Sequence, residues 1–132
     1  MMQITRQADY AIRCVYYLSG KPGGVTMIEE IAREMSIPQS FLAKILQKLA
    51  KAGIVKSQRG ARGGFGLARE PRQISLYDVL VAVEGPIAVN VCAIDKKLCD
   101  VSSRCKIHPV WVGVRKEMEK TLKGENFEKL RK

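Results

Sequence analysis

Apolar positions recur at helical spacing through the first fifty residues and define three helices. Ala8, Ala11, Ile12, Val15 and Leu18 share one face of a helix over residues 5–19, which Lys21-Pro22-Gly23-Gly24 ends. Ile28, Ile31, Ala32 and Met35 mark a second helix at about 27–35, and Thr26 with Glu29 reads as its capping box. In such a box the hydroxyl accepts a first-turn N–H and the carboxylate reaches back to the cap. Ser36-Ile37 make a tight turn. Pro38 suits the first position of a third helix, because the N–H it lacks would be unpaired there. In that helix Leu42, Ile45, Leu46 and Leu49 face inward, Gln39, Ser40, Ala43, Lys44, Gln47, Lys48 and Lys51 lie on the other side, and Gly53 stops it. Helix, short turn and helix with a polar, basic outer face is a helix-turn-helix arrangement.

The periodicity then changes. Ile54-Val55-Lys56-Ser57-Gln58 and Phe65-Gly66-Leu67-Ala68 predict two short strands, joined by Arg59-Gly60-Ala61-Arg62-Gly63-Gly64. The joining segment reads as a wing: its glycines, Gly63 among them, allow close approach to a phosphate backbone, and Arg59 and Arg62 can reach phosphates or a minor groove. It is not a nucleotide loop, since no Gly-Lys-Ser/Thr follows. Ser75 caps a fourth helix at about 76–84, ended by Gly85-Pro86, and residues 91–108 show little periodicity. From Pro109 to Lys123 a last helix carries Val110, Trp111, Val114, Met118 and Leu122 along one side. Such a helix is about 22 Å long. A stripe of that length in a small chain predicts pairing with a second copy. The expected fold is mainly α with a small β-hairpin wing. Residues 1–75 form a winged helix-turn-helix part, and residues 76–132 form a loop and a long C-terminal dimerisation helix.

Charge sharpens this picture. The 132 residues carry a formal net charge of +10. Residues 44–72 alone hold Lys44, Lys48, Lys51, Lys56, Arg59, Arg62, Arg69 and Arg72 against a single acid, Glu70. A polyanionic partner is expected, double-stranded DNA if the helix-turn-helix reading holds. No run of about 18 apolar residues occurs, which argues against a membrane span. Asp9 interrupts the apolar N-terminal stretch that a signal peptide would need, so the expectation is a cytoplasmic protein.

In that compartment thiols stay reduced, and four cysteines suggest metal ligands, redox groups or core fillers rather than disulfides. Cys92, Cys99 and Cys105 follow a Cys-x6-Cys-x5-Cys spacing, and the only histidine, His108, stands three residues beyond. Thiolates bind iron or zinc strongly and an imidazole can complete a set of four. The spacing lacks the Cys-x2-Cys pairs of structural zinc sites, and by itself it leaves an iron–sulfur cluster, zinc and no metal all open. Cys14 falls in the first helix's apolar pattern and is expected in the core. Catalysis has little support: the one histidine sits with the cysteines and no carboxylate pair stands out, so an enzyme is not expected. A zinc-stabilised module binding RNA or an acidic protein through the same basic surface is the rival from another class.

Three stretches carry a family resemblance. They are Thr5-x-x-x-Asp9-Tyr10-Ala11, then Ser40-Phe41-Leu42-Ala43-Lys44-Ile45-Leu46 running on to Ala52-Gly53-Ile54-Val55, and Ser57-x-Arg59-Gly60-x-x-Gly63-Gly64-Phe65-x-Leu67-Ala68. With the late cysteines and His108-Pro109-Val110-Trp111, the chain resembles the IscR/NsrR-type regulators of the Rrf-two family over nearly its whole length. The resemblance implies a homodimeric winged-helix transcription factor whose long C-terminal helix pairs with its partner's. It further implies that Cys92, Cys99 and Cys105 hold an iron–sulfur cluster, either 2Fe–2S or 4Fe–4S. His108 stands where IscR-like members place a fourth ligand, and Asp9 where NsrR-like members supply a carboxylate from the other subunit. The first cysteine interval, six residues, is one longer than in the commonest members. On the helix-turn-helix and wing reading, the expected DNA contacts are Gln39, Ser40, Ala43, Lys44 and Lys48 on the third helix and Arg59, Arg62 and Gly63 in the wing.

Overall fold

Thr5 starts the first helix: its backbone is extended and its hydroxyl accepts the Ala8 amide at 3.0 Å. In a computed structural model describing residues 1–132, the chain runs α1 (Arg6–Ser19), α2 (Ile28–Met35), α3 (Gln39–Lys51), β1 (Val55–Gln58), β2 (Gly64–Leu67), α4 (Leu76–Glu84) and α5 (His108–Lys123). Five helices and one antiparallel hairpin make a winged helix. Ala8, Ala11, Cys14, Val15 and Leu18 of α1 are buried in one cluster with Leu42, Ile45, Leu46 and Leu49 of α3 and Val79, Leu80 and Val83 of α4. Burying each large aliphatic side chain contributes about 1.5–3 kcal/mol. That burial fixes which face of α3 is left to solvent. Ser75 caps α4 through a capping box with Asp78, at 3.1 and 2.9 Å.

Two local expectations are corrected. Thr26 does not cap α2. The cap position is Met27, which makes no side-chain cap bond, and Thr26 instead pairs with Phe65 through two backbone bonds of 2.8 Å. Sheet pairing has taken Thr26 into the base of the wing, and its hydroxyl is buried without a partner. The approach is so close that a Cβ at Gly64 would lie 2.3 Å from the Thr26 carbonyl oxygen, so only glycine fits. Pro38 precedes α3 rather than opening it. Its extended ψ of 128° places it at the cap, where its carbonyl accepts the Leu42 amide at 3.0 Å.

The chain does not stop being structured after α5. Asn126 bridges Ser75, Leu76 donates to the Glu125 carbonyl at 2.9 Å, and Phe127 donates to the Ile74 carbonyl at 3.1 Å. Phe127 is completely buried and belongs to the same core as α1, α3 and α4. One core therefore draws residues from both sides of position 75. Helix α5 itself has no buried residue: Trp111, Val114, Met118 and Leu122 are half-buried, and Val110 is 57% exposed. An open groove of about 1210 Å³ runs beside it, lined among others by Met2, Ile4, Leu80, Ile87, Val114 and Met118. No helix is long and apolar enough to cross a membrane.

Candidate nucleic-acid interface and cysteine loop

With its apolar side packed, α3 presents Gln39, Ser40, Ala43, Lys44, Gln47, Lys48 and Lys51 to solvent. Its first turn contains no acid, so the positive end of the helix dipole is uncompensated there. Phe41, which the sequence reading passed over, is 51% exposed beside these residues and meets Tyr10 edge-on at 6.1 Å. The guanidinium of Arg13 also lies over the Tyr10 ring, 5.4 Å from its centroid.

The hairpin pairs Val55 with Leu67, Lys56 with Gly66, Ser57 with Phe65 and Gln58 with Gly64, and residues 59–63 form its tip. Arg59 and Arg62 are exposed there. Gly63 has an intramolecular reason to be glycine: a Cβ would come within 2.4 Å of the Gln58 carbonyl oxygen. The expected need to approach phosphate is therefore not required to explain it.

The structure sorts the basic segment. Arg69 donates to the Gly53 and Ala52 carbonyls at 3.2 and 3.0 Å, closing the C-terminus of α3. Arg72 pairs with Glu70 at 2.6 Å. The Lys48 ammonium lies 3.2 Å from Gln7 Oε1 and 3.4 Å from the Val83 carbonyl oxygen. Lys44, Lys51, Lys56, Arg59 and Arg62 are all exposed and make no ion pair.

Between α4 and α5 the chain makes two short 3-10 turns, Val91–Ala93 and Lys96–Leu98. Cys92 is 7% exposed, Cys99 and Cys105 are half-buried, and no cysteine is in a disulfide. His108 is the first residue of α5, and its Nδ1 is buried without a hydrogen-bond partner. Arg115, two turns along, donates to the Ala93 carbonyl at 2.7 Å and to Glu119 at 2.8 Å, which ties the Cys92 turn to α5. Asp9 lies elsewhere, ion-paired to Arg13 at 2.7 Å on α1. The loop thus gathers three thiols and an imidazole in sequence, but no three Cys, His, Asp or Glu side chains converge tightly enough to share a metal ion. By donor type the set fits an iron–sulfur cluster. The orphaned imidazole nitrogen fits as well, because a buried polar atom without a partner is rare. Cys14 is a different case: burial pushes its thiol up to about 12, and it is an inert part of the core.

A helix-turn-helix with its polar face free, followed by a basic wing, defines a winged-helix DNA-binding protein. The family model described as "Iron-dependent Transcriptional regulator" (Rrf2) matches residues 4–132, and the chain belongs to that family. It is similar to a putative HTH-type transcriptional regulator of Aquifex aeolicus, with 31% identity over 92% of this chain and 85% of the relative. Among solved structures it is similar to T. potens IscR, with 28% identity, TM-score 0.76, and coverage of 98% of this chain and 85% of that one. It is also similar to CymR, the global cysteine regulator of B. subtilis, with 29% identity, TM-score 0.79, and coverage of 98% and 96%. The chain is a transcriptional regulator and not an enzyme.

Proposed function

We propose that the chain is a cytoplasmic, homodimeric regulator that binds a specific double-stranded DNA operator, with its affinity set by an iron–sulfur cluster in the loop between α4 and α5. The observation that carries the DNA reading is the set of five exposed cations without protein partners on α3, β1 and the wing tip, while other cations nearby are engaged. Gln39, Ser40, Ala43 and Lys44 enter the major groove with the start of α3 and read base edges. Arg59 and Arg62, on the turn that Gly63 permits, reach phosphates or the minor groove. Two copies joined along α5 cover the apolar stripe that one copy leaves open and set two recognition helices at half-site spacing. Residues 1–75 then do the reading, and residues 76–132 do the sensing and pairing.

For the sensing half, Cys92, Cys99 and Cys105 would hold the cluster with His108, or with Asp9 of a second copy in place of His108. Bound there, a cluster supplies iron that responds to oxidants, nitric oxide or iron supply. The chain's own residues supply the linkage. His108 opens α5, and Arg115 fastens the Cys92 turn to the same helix, so drawing the four donors together pulls on α5. Beyond α5, Phe127 is seated in the DNA-reading core. Loop state thereby biases the placement of the recognition helices, as a ligand switch requires.

A second reading has an observation of its own. The thiols are free and not assembled into a site, which suits a metal-free regulator whose cysteines respond to oxidants directly. Selecting a bound duplex from a random pool, then measuring its affinity for wild type and for C92S, C99S and C105S, tests both. The expected result is a palindromic preference and an altered affinity in each variant together with loss of visible absorbance. Unchanged affinity in all three removes the switch. Oxidant-dependent affinity in metal-free protein favours the second reading, and preference for RNA over duplex removes the DNA reading.

A further inference from the structure

Lys48 lies on the outer face of α3, among residues expected to meet DNA, yet its ammonium is not idle. It is 3.4 Å from the carbonyl oxygen of Val83 and 3.2 Å from Gln7 Oε1, and Gln7 in turn donates to the same Val83 carbonyl at 3.1 Å. Val83 is the penultimate residue of α4, and its carbonyl is among the last four that no helical N–H can satisfy. A cation at that end also complements the helix dipole. Thr5 donates to Glu84, so the N-terminal turn of α1 grips the same helix end. Immediately afterwards the chain turns at Gly85-Pro86 and runs towards Cys92. One side chain of the recognition helix therefore holds the point where the cysteine loop begins.

We infer that Lys48 is the positioning residue through which bound DNA and the cysteine loop sense one another, its ammonium bridging a backbone phosphate and the C-terminus of α4. This rests on the DNA-binding reading above. An ammonium has three N–H donors; two face Gln7 and Val83, and the third is left for a phosphate oxygen. Because Gln7 and Val83 already hold the group in place, a phosphate meets it preorganised, and binding the phosphate fixes the end of α4 in return. The coupling is reciprocal: whatever loosens residues 84–92 weakens the Lys48 contact with DNA.

Amide hydrogen exchange of the full chain, free and saturated with a mixed-sequence duplex at low salt, tests this, with fluorescence anisotropy confirming binding in the same samples. Exchange in the segment 81–92 of the wild type is expected to slow about fivefold on binding duplex, the lower end of couplings between sites. K48M is expected to bind with a salt slope smaller by about one per protomer and to show no slowing, whereas K48R restores part of it. Q7M, which keeps the cation and removes its second anchor, reduces the slowing while leaving the salt slope as in wild type. Equal slowing in wild type and K48M, or none in wild type with duplex bound, overturns the bridge. Failure of the wild type to bind duplex overturns the DNA-binding reading along with it, and the anisotropy separates that failure from the others.

Discussion

The amide of Phe127 donates to the carbonyl of Ile74 across 3.1 Å, and both side chains are completely buried. A residue four positions past the end of α5 thus completes the core beneath the winged helix. Phe127→Ala is expected to destabilise the whole chain by about 3–5 kcal/mol, and the urea midpoint by circular dichroism reads it. A single transition at a lower midpoint is the expected form, because the core is one. Two separate transitions, with the winged helix surviving, would show that residues 1–75 stand alone.

Arg59 and Arg62 make no contact that the fold needs. Alanine at either is expected to leave the thermal midpoint within about 1–2 °C, since surface changes away from special features cost little. It is also expected to lower duplex affinity with a salt slope smaller by about one per protomer for a phosphate contact. Arg69→Ala should do the reverse, because its guanidinium closes α3 against the Gly53 and Ala52 carbonyls. Equal effects of all three on DNA binding would mean that general charge, and not the wing, carries the affinity.

The sequence made some of this legible and not the rest, for physical reasons. Strong local signals held: the apolar stripes of α1 and α3, the Ser75 cap of α4, and the glycine-rich turn between short strands all act within a few residues of themselves. Thr26 misled because a capping box and a sheet bridge use the same residue, and only the distant Phe65 decides between them. Phe127 was invisible for a similar reason: a lone aromatic in a polar tail has no period, and its partners are distant in sequence. Eight cations read alike in sequence, and only distances show that Arg69 and Arg72 are tied to the protein, that Lys48 is partly engaged and that the other five make no ion pair. The cysteine loop shows the boundary most clearly, since spacing left its chemistry open, the resemblance alone implied a ligand set, and the fold does not bring those side chains together on one centre.

Cys14 gives a pH prediction whose sign follows from its burial. Its thiol is raised from an ordinary value of 9.0 to about 12, so the folded chain keeps the proton while the unfolded chain releases it. Its stabilising effect is whole below pH 9.0 and is lost as pH rises toward about 12, at up to roughly 1.4 kcal/mol per pH unit. Cys14→Ala should therefore lose less stability than wild type as pH rises from 9.0 toward about 12. Parallel alkaline profiles for the two proteins would show that Cys14 does not titrate on unfolding.

Whether the loop of Cys92, Cys99, Cys105 and His108 holds an iron–sulfur cluster is tested most directly by the metal content of protein purified without oxygen. Iron and acid-labile sulfide are measured per chain beside the visible spectrum, for wild type and for Cys92→Ser, Cys99→Ser and Cys105→Ser. Iron with matching sulfide and thiolate-to-iron absorption in the wild type, lost in each variant, is the predicted result. Zinc or no metal, reproducibly and after attempted reconstitution, would contradict it and leave a winged-helix regulator whose thiols sense on their own.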